Sequence, residues 1–324
     1  MKLLVTGGAG FIGANFITAA LAETDADILC VDALTYAGNR KWLGRAEKTG
    51  RVRFFHQNIC DREGMYRLFQ EERPDAVIHF AAETHVDRSI TGPALFLETN
   101  VLGTEVLLDA CVRYGISRFH QVSTDEVYGD LPLAGGTAFR EEDRLAPSSP
   151  YGASKAAADL LVLSYRRTYG LPVTISRCSN NYGPFQFPEK LIPFAIQCLL
   201  RGRPVPLYGD GLHVRDWLYV QDHCEALLRI LQRGREGEIY HIGGHCEINN
   251  RDVVRKIASL LSFEGPCFQL IADRTGHDRR YALQTEKIER ELSWTAETPF
   301  AEGLARTVRF YETYLTTGEV QYDL

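Results

Sequence analysis

No stretch of this chain approaches the roughly 18 consecutive apolar residues that a membrane-crossing helix requires. Nor do its 324 residues carry a basic excess: 36 Lys and Arg stand against 42 Asp and Glu, a net charge of −6. The first absence removes a membrane span. The second removes general affinity for nucleic acid, which asks for a basic face, but leaves room for a local cationic pocket around a small anion. The N-terminal Lys2-Leu3-Leu4-Val5 is interrupted at once by Gly7, Gly8 and Gly10, so it reads as a strand and not as the apolar core of a signal peptide. The eight cysteines stand 20 or more residues apart without a Cys-x-x-Cys pair. That spacing points to reduced thiols in a cytoplasmic protein. The nine histidines show no clustered ligand spacing, so no metal site is expected. Internal repeats, low-complexity tracts and long linkers are missing too.

What is present is a soluble globular composition, 45% hydrophobic and 24% charged, sufficient for one large or two intimately packed domains. Short apolar runs predict strands at Lys2–Thr6, Ile28–Val31, Val52–His56, Ala76–Phe80, Arg118–Ser123 and Val173–Arg177. Amphipathic patterns between them predict helices over Phe11–Ala22, Asp61–Glu71, Ala94–Tyr114 and Tyr151–Tyr169. Strands too apolar to be half-exposed, alternating with helices, predict an α/β fold with a parallel sheet covered on both faces. Prolines 184, 188, 193, 204 and 206 then change the texture. Helical patterns resume over Val220–Gln232, Asn250–Leu261 and Phe300–Tyr314, and Glu238–Ile242 could add an edge strand.

Gly7, Gly10 and Gly13 lie between a predicted strand and a predicted helix, where a tight turn can bring backbone close to a pyrophosphate at the helix N-terminus. Asp32 ends the next strand 19 residues after Gly13, where a carboxylate accepts from an adenosine ribose and repels a 2′-phosphate, favouring NAD over NADP. Thr124 falls at the carboxyl end of a central strand, followed by the paired carboxyls of Asp125 and Glu126. Tyr151 and Lys155 stand one helical turn apart after Pro150, with Ser148 and Ser149 available as caps. A cation near the phenol lowers its pKa and suits it to act as a base. Lys190, Arg215, Arg279 and Arg280 are candidates to hold a diphosphate. His85, His213 and His277 are more often packing or hydrogen-bonding residues than catalysts.

Together these segments resemble the extended short-chain dehydrogenase/reductase superfamily and, within it, the dTDP-glucose 4,6-dehydratases. The matching stretches run nearly end to end: 6–13, 32–39, 81–90, 123–129, 151–155, 179–193, 213–217 and 276–282. Asp-Glu after the threonine is the most diagnostic of them. The resemblance implies a Rossmann-type doubly wound parallel sheet with a smaller, mixed C-terminal substrate-binding region. The NAD-binding domain would span residues 1–178 with a returning segment near 216–243, and the nucleotide-sugar domain 179–215 and 244–324. NAD would be surrounded by Gly7, Gly10, Phe11, Ile12, Gly13, Asp32, Leu34, Thr35, Asn58, Ile59, Ala81, Ala82, Glu83, Thr84, Thr99, Tyr151, Lys155 and Asn181. The nucleotide sugar would meet Thr84, Thr124, Asn180, Lys190, Leu191, Pro206, Leu207, Tyr208, Arg215, Asn250, Asp273, Arg274, Thr275, Gly276 and His277.

The same resemblance implies roles. Tyr151 takes the O4 proton, with Lys155 tuning it and Thr124 hydrogen-bonding O4; Asp125 is the acid at O6 and Glu126 the base at C5. The sugar is oxidised at C4, loses water across C5 and C6, and receives the same hydride at C6. Asn58 departs from the family's aspartate, Thr275 from its proline, and the loop after Gly129 is short. Two other readings stay open. One is another nucleotide-sugar enzyme, either a dehydratase of a UDP-, CDP- or amino-sugar or an epimerase. The other is a non-catalytic dinucleotide sensor. The helices predicted over 94–114 and 151–169 are apolar nearly all round, and the resemblance implies that they pair in a two-fold homodimer.

Overall fold

Successive side chains of a strand point to opposite faces of its sheet, and the apolar runs of this chain divide accordingly. In a computed structural model, described for residues 1–134, 136–318 and 320, Leu3, Val5, Ile28, Cys30 and Ile78 enter one buried cluster. Leu4, Leu29, Val31 and Val77 enter another on the opposite face. Both faces of the sheet are therefore covered, which is why these runs are continuous rather than alternating.

The strands are β1 (Lys2–Thr6), β2 (Asp27–Asp32), β3 (Val52–His56), β4 (Ala76–His79), β5 (Arg118–Thr124), β6 (Val173–Cys178), β7 (Asn180–Tyr182), β8 (Val205–Tyr208), β9 (Val214–Tyr219), β10 (Ile239–Ile242), β11 (Glu247–Asn249) and β12 (Phe268–Ile271). Seven form one parallel sheet in the order β10-β6-β5-β4-β1-β2-β3. The order reverses between β1 and β4, the place where doubly wound sheets bind ligands beyond their carboxyl ends. A three-stranded sheet, β11-β9-β7, and a parallel pair, β12-β8, lie outside it. The six strands expected in the first half are all in the large sheet, with ends shifted by a residue, and the expected edge strand is β10, parallel to β6.

One expectation is corrected. The single helix predicted over Ala94–Tyr114 is three pieces: Pro93–Leu97, a π turn at Glu98–Leu102, and Gly103–Tyr114. The wider turn carries Asn100, buried at 1% exposure. Its Oδ1 accepts from Glu83 N at 2.8 Å, and its Nδ2 donates to Glu83 O at 3.0 Å and Ser154 Oγ at 2.9 Å. Apolar periodicity cannot register a break made for one inward-facing amide.

Candidate active site

β5 ends in Thr124 at the carboxyl edge of the large sheet, and the chain turns at once into a single 3-10 turn, Asp125–Val127. The Thr124 hydroxyl accepts from Glu126 N at 3.3 Å and donates to Asp125 Oδ1 at 3.2 Å. This turn abolishes the strand alternation that would send Asp125 and Glu126 to opposite faces. Nearby, Ser149 Oγ accepts from Gly152 N at 3.1 Å and Pro150 takes the first helical position, so a helix begins and runs to Tyr169. Gly152 lets that helix start lie against the turn, because a Cβ there would sit 2.8 Å from the Glu126 carbonyl oxygen. Tyr151 is carried beside the turn and buried with Val86 and Phe96.

Burial weakens the acids here, and the neighbours then separate them. Asp125 is 1% exposed with Oδ2 unpartnered. Burial, and then the charge of Glu126, push its carboxyl well above the usual carboxylate range. Half-buried Glu126 is also raised by burial, but Lys190, Arg274 and Arg215 pull it back down. Adjacent carboxyls in such different surroundings suit one to give a proton and the other to take one. Burial, and then Glu126, push the Tyr151 phenol up, while a hydrogen bond with Thr124 works the other way. Lys155, 4% exposed, donates from Nζ to Val122 O at 2.8 Å, and burial lowers its ammonium pKa.

The cations arrive from separate segments. Lys190 Nζ donates to Thr84 O at 2.8 Å. Arg215, buried, lies 4.6 Å over the Tyr281 ring and donates to Val214 O and Asp278 O. Arg274 donates to Asp87 Oδ1 at 2.9 Å, and Tyr208 donates to Oδ2 of the same carboxylate at 3.0 Å. The grouping of Arg279 and Arg280 with these cations needs correction. Arg279 grips both oxygens of Asp210, at 3.0 and 2.9 Å, and Arg280 holds Glu247 at 2.8 Å and Thr137 O at 2.7 Å. A guanidinium in a bidentate pair is already spent, and Arg274 stands in their stead near Glu126.

In the 273–277 loop, Asp273 and Thr275 are exposed, and Gly276 leans on the carbonyl of Ser148. His277 stacks on His213 with centroids 3.6 Å apart at 14°. Asp273 reaches both, 2.7 Å to His277 Nδ1 and 3.4 Å to His213 Nε2, so ligand-type atoms of all three lie within 4.8 Å. Sequence spacing concealed this cluster. Parallel rings aim their nitrogen lone pairs side by side and not at one point, so it reads as a hydrogen-bonded stack. His85 caps the short Val86–Thr91 helix and lies 3.6 Å from Glu189. Pro206 and Tyr208 face outward on β8 whereas Leu207 enters the core; Asn180 Oδ1 is buried without a partner; Leu191 opens the Leu191–Leu200 helix; Asn250 donates its backbone N–H to His213 O at 3.1 Å.

The other end of the edge fits a dinucleotide. The turn after β1 needs glycine: a Cβ on Gly13 would come within 2.3 Å of Gly7 O, closing the turn against which a pyrophosphate would rest. Asp32 accepts from Ala9 N at 2.9 Å and Leu34 N at 2.8 Å, one bond on each oxygen, leaving lone pairs for ribose hydroxyls. Phe11 and Ile12 are half-buried in the first helical turn, Thr35 is exposed, and Ile59 is buried in the core against Gly103. Asn58 Oδ1 is engaged by Cys60 N at 2.9 Å in a local turn, which sets its amide direction. Ala81 and Ala82 are half-buried beyond β4, Thr99 sits in the π turn, and Asn181 Oδ1 pairs with His223 Nδ1 at 2.8 Å. Sequence reasoning missed Asn100, which ties Glu83 to Ser154 inside the Tyr151–Lys155 turn; its only signal was a polar residue within an apolar helical pattern.

Fold and site define a nicotinamide-dinucleotide enzyme of the extended short-chain dehydrogenase/reductase type. A family model described as GDP-mannose 4,6 dehydratase matches residues 4–307. The chain is 49% identical to dTDP-glucose 4,6-dehydratase 1 of Escherichia coli strain K12, over 96% of this chain and 92% of that protein. It is similar to the crystal structure of DesIV, a dTDP-glucose 4,6-dehydratase from Streptomyces venezuelae with NAD and dTDP bound, at 48% identity and TM-score 0.93, covering 96% of this chain and 97% of that one. It is also similar to UDP-glucose 4-epimerase from Thermotoga maritima, at 31% identity and TM-score 0.90, covering 97% and 100%. The chain belongs to the dTDP-glucose 4,6-dehydratase family.

Proposed function

We propose that this protein is an NAD-dependent lyase that dehydrates dTDP-glucose to the 4-keto-6-deoxy sugar and water. One observation carries the eliminating step: adjacent carboxyls, Asp125 with Oδ2 unpartnered and its pKa pushed up by burial, Glu126 facing three cations. Tyr151 accepts the O4 proton, Thr124 holds O4 by its hydroxyl, and the charged Lys155 makes the phenol more acidic. With a carbonyl at C4 the C5 proton is acidified; Glu126 removes it and Asp125 protonates the departing C6 hydroxyl. Bound NAD would supply the acceptor for the C4 hydride and the donor for C6, with Glu126 giving its proton back to C5, so no external reductant is consumed. Lys190, Arg215 and Arg274 would hold the diphosphate, and Gly7 to Gly13 with Asp32 the dinucleotide. The large sheet with its helices is the NAD-binding domain in this reading, residues 1–178 and 216–243, and the remainder covers the sugar nucleotide.

Leu95, Leu97, Leu102 and Leu160 are each more than half exposed, on the 93–114 and 150–169 helices. Cover by the same helices of a second copy accounts for that apolar surface. Light scattering at micromolar concentration should give twice the monomer mass; the monomer mass would refute the dimer. The eight free cysteines fit a reducing compartment, and no helix among the described residues is long and apolar enough to cross a membrane.

The activity is tested by incubating the protein with dTDP-, UDP- and CDP-glucose and with UDP-N-acetylglucosamine, and weighing the products. Loss of one water from dTDP-glucose is expected. An unchanged mass would mean epimerisation, and preference for another nucleotide would redirect the substrate assignment.

A further inference from the structure

Lys155 is buried with one hydrogen bond to a neutral acceptor, the Val122 carbonyl. An ammonium so placed is poorly compensated and tends to give up its proton. The groups facing it from the surrounding elements leave a single source of negative charge. His79 on β4 has both ring nitrogens occupied by hydroxyls, Thr6 Oγ1 at 2.7 Å and Thr104 Oγ1 at 3.0 Å, and burial keeps it neutral. Cys178 on β6 stays a thiol, pushed up to about 12 by burial and then by Asp125. The Tyr151 phenol, on the same helix, is the group whose proton is at issue. That leaves Asp159, one helical turn beyond Lys155 on the same face, with a side chain at 0% exposure.

Asp159 is itself held from the far side. Arg177 Nε donates to its Oδ2 at 2.9 Å, while Oδ1 has no hydrogen-bond partner. Arg177 cannot swing away, since its Nη1 donates to Tyr128 OH at 2.5 Å and Glu141 O at 3.3 Å, and its guanidinium lies over the Tyr128 ring. Tyr128 is pinned in turn by His241 Nε2 at 2.6 Å. One carboxylate thus stands between two buried cations, clamped by one and electrostatically available to the other. We infer that Asp159 is a positioning residue of the active site, the counter-charge that keeps Lys155 protonated, with Arg177 and Tyr128 fixing its place. It acts through Lys155 and does not touch the sugar. The inference rests on the reading of Tyr151 as base and Lys155 as its cation.

The test is the pH dependence of reduced-nicotinamide formation in a single turnover with dTDP-glucose, using the NAD-loaded enzyme. The rate rises with pH as Tyr151 ionises, and a charged Lys155 sets that limb low. Asp159→Asn should let Lys155 go neutral and move the limb up by about one pH unit or more, roughly a tenfold loss at a fixed pH below it. Asp159→Glu keeps the charge and should hold the limb within a few tenths of a unit. Arg177→Met leaves Asp159 to Lys155 alone, so its limb should stay or move down. A merely structural role would lower the yield of folded enzyme without moving the limb. An unmoved limb in Asp159→Asn overturns the inference; so does an upward shift in either of the other two, whether or not the Asn variant folds. Tyr151→Phe in the same assay separates the failures: if it reacts at the parent rate, the assignment of Tyr151 fails. If it is silent while the Asp159→Asn limb stays put, only the role of Asp159 fails.

Discussion

The two ends of the sheet's carboxyl edge are built on opposite principles. The dinucleotide end is built around one local segment, the glycine turn and Asp32 within the first 35 residues. Its central acid, Asp32, has a backbone amide on each oxygen. The acid–base end gathers side chains from β5, the 150–169 helix, the loop before the Leu191–Leu200 helix, β9 and the 273–277 loop. Its buried polar atoms are left open: Asp125 Oδ2, Asn180 Oδ1, His213 Nδ1 and Arg274 Nε lack partners. Satisfied groups hold a ligand in one pose; unsatisfied ones, costly in the fold, are available to a substrate. Binding and chemistry should therefore fail separately.

The largest expected effect is at the chemical end. Tyr151→Phe should cost about 10²–10⁴-fold in sugar oxidation, the usual contribution of a general base, while NAD content measured after gel filtration stays near the parent's. Loss of both together would erase the contrast between the ends. At the dinucleotide end, Asp32→Ala should weaken NAD by roughly tenfold, about 1.4 kcal/mol, and narrow its margin over NADP; equal affinity of the unaltered protein for both would refute the ribose assignment.

The pH profile sharpens the comparison. In the proposed mechanism elimination needs Glu126 ionised and Asp125 protonated; burial raises both, and Lys190, Arg274 and Arg215 restrain Glu126 whereas Arg215 alone among them restrains Asp125. The rate of C5–C6 elimination should rise with pH through Glu126 and fall through Asp125, with its maximum above the ordinary carboxylate range; a profile flat across that region would contradict the division. The smallest effect is on stability. Because the folded pKa of Asp125 lies above its unfolded value, the fold retains the proton longer. Stability then falls as pH rises from about 3.9 to the folded value, and the loss is complete above it. Asp125→Asn should raise Tm at neutral pH, by roughly 1–2 °C for each kcal/mol regained, a gain that vanishes in acid. An unchanged Tm at neutral pH would mean that Asp125 carries no such penalty.

The same contrast explains what the sequence disclosed. The glycine turn, Asp32 and the large-sheet strands were legible because periodicity and short spacings encode them. Thr124, Asp125, Glu126, Tyr151 and Lys155 were legible as local motifs, and their juxtaposition follows from two local devices, the 3-10 turn and the cap at Ser149. The small sheets escaped because β7 and β11 have only three residues each, too few for a pattern. The π turn at Glu98–Leu102 escaped because it serves one amide. Which arginines grip both oxygens of a carboxylate depended on partners distant in sequence, Asp210 for Arg279 and Glu247 for Arg280. The His213–Asp273–His277 stack likewise joins positions about 60 residues apart.

The central claim is that two adjacent carboxyls separate elimination from oxidation, and Glu126→Gln tests it most directly. In a single turnover with dTDP-glucose, followed by nicotinamide absorbance and product mass, this variant should reduce the cofactor at a rate near the parent's. It should then stop at a 4-keto hexose that retains its C6 oxygen and takes up no solvent deuterium at C5. Water loss at the parent rate would make Glu126 a bystander and contradict the mechanism.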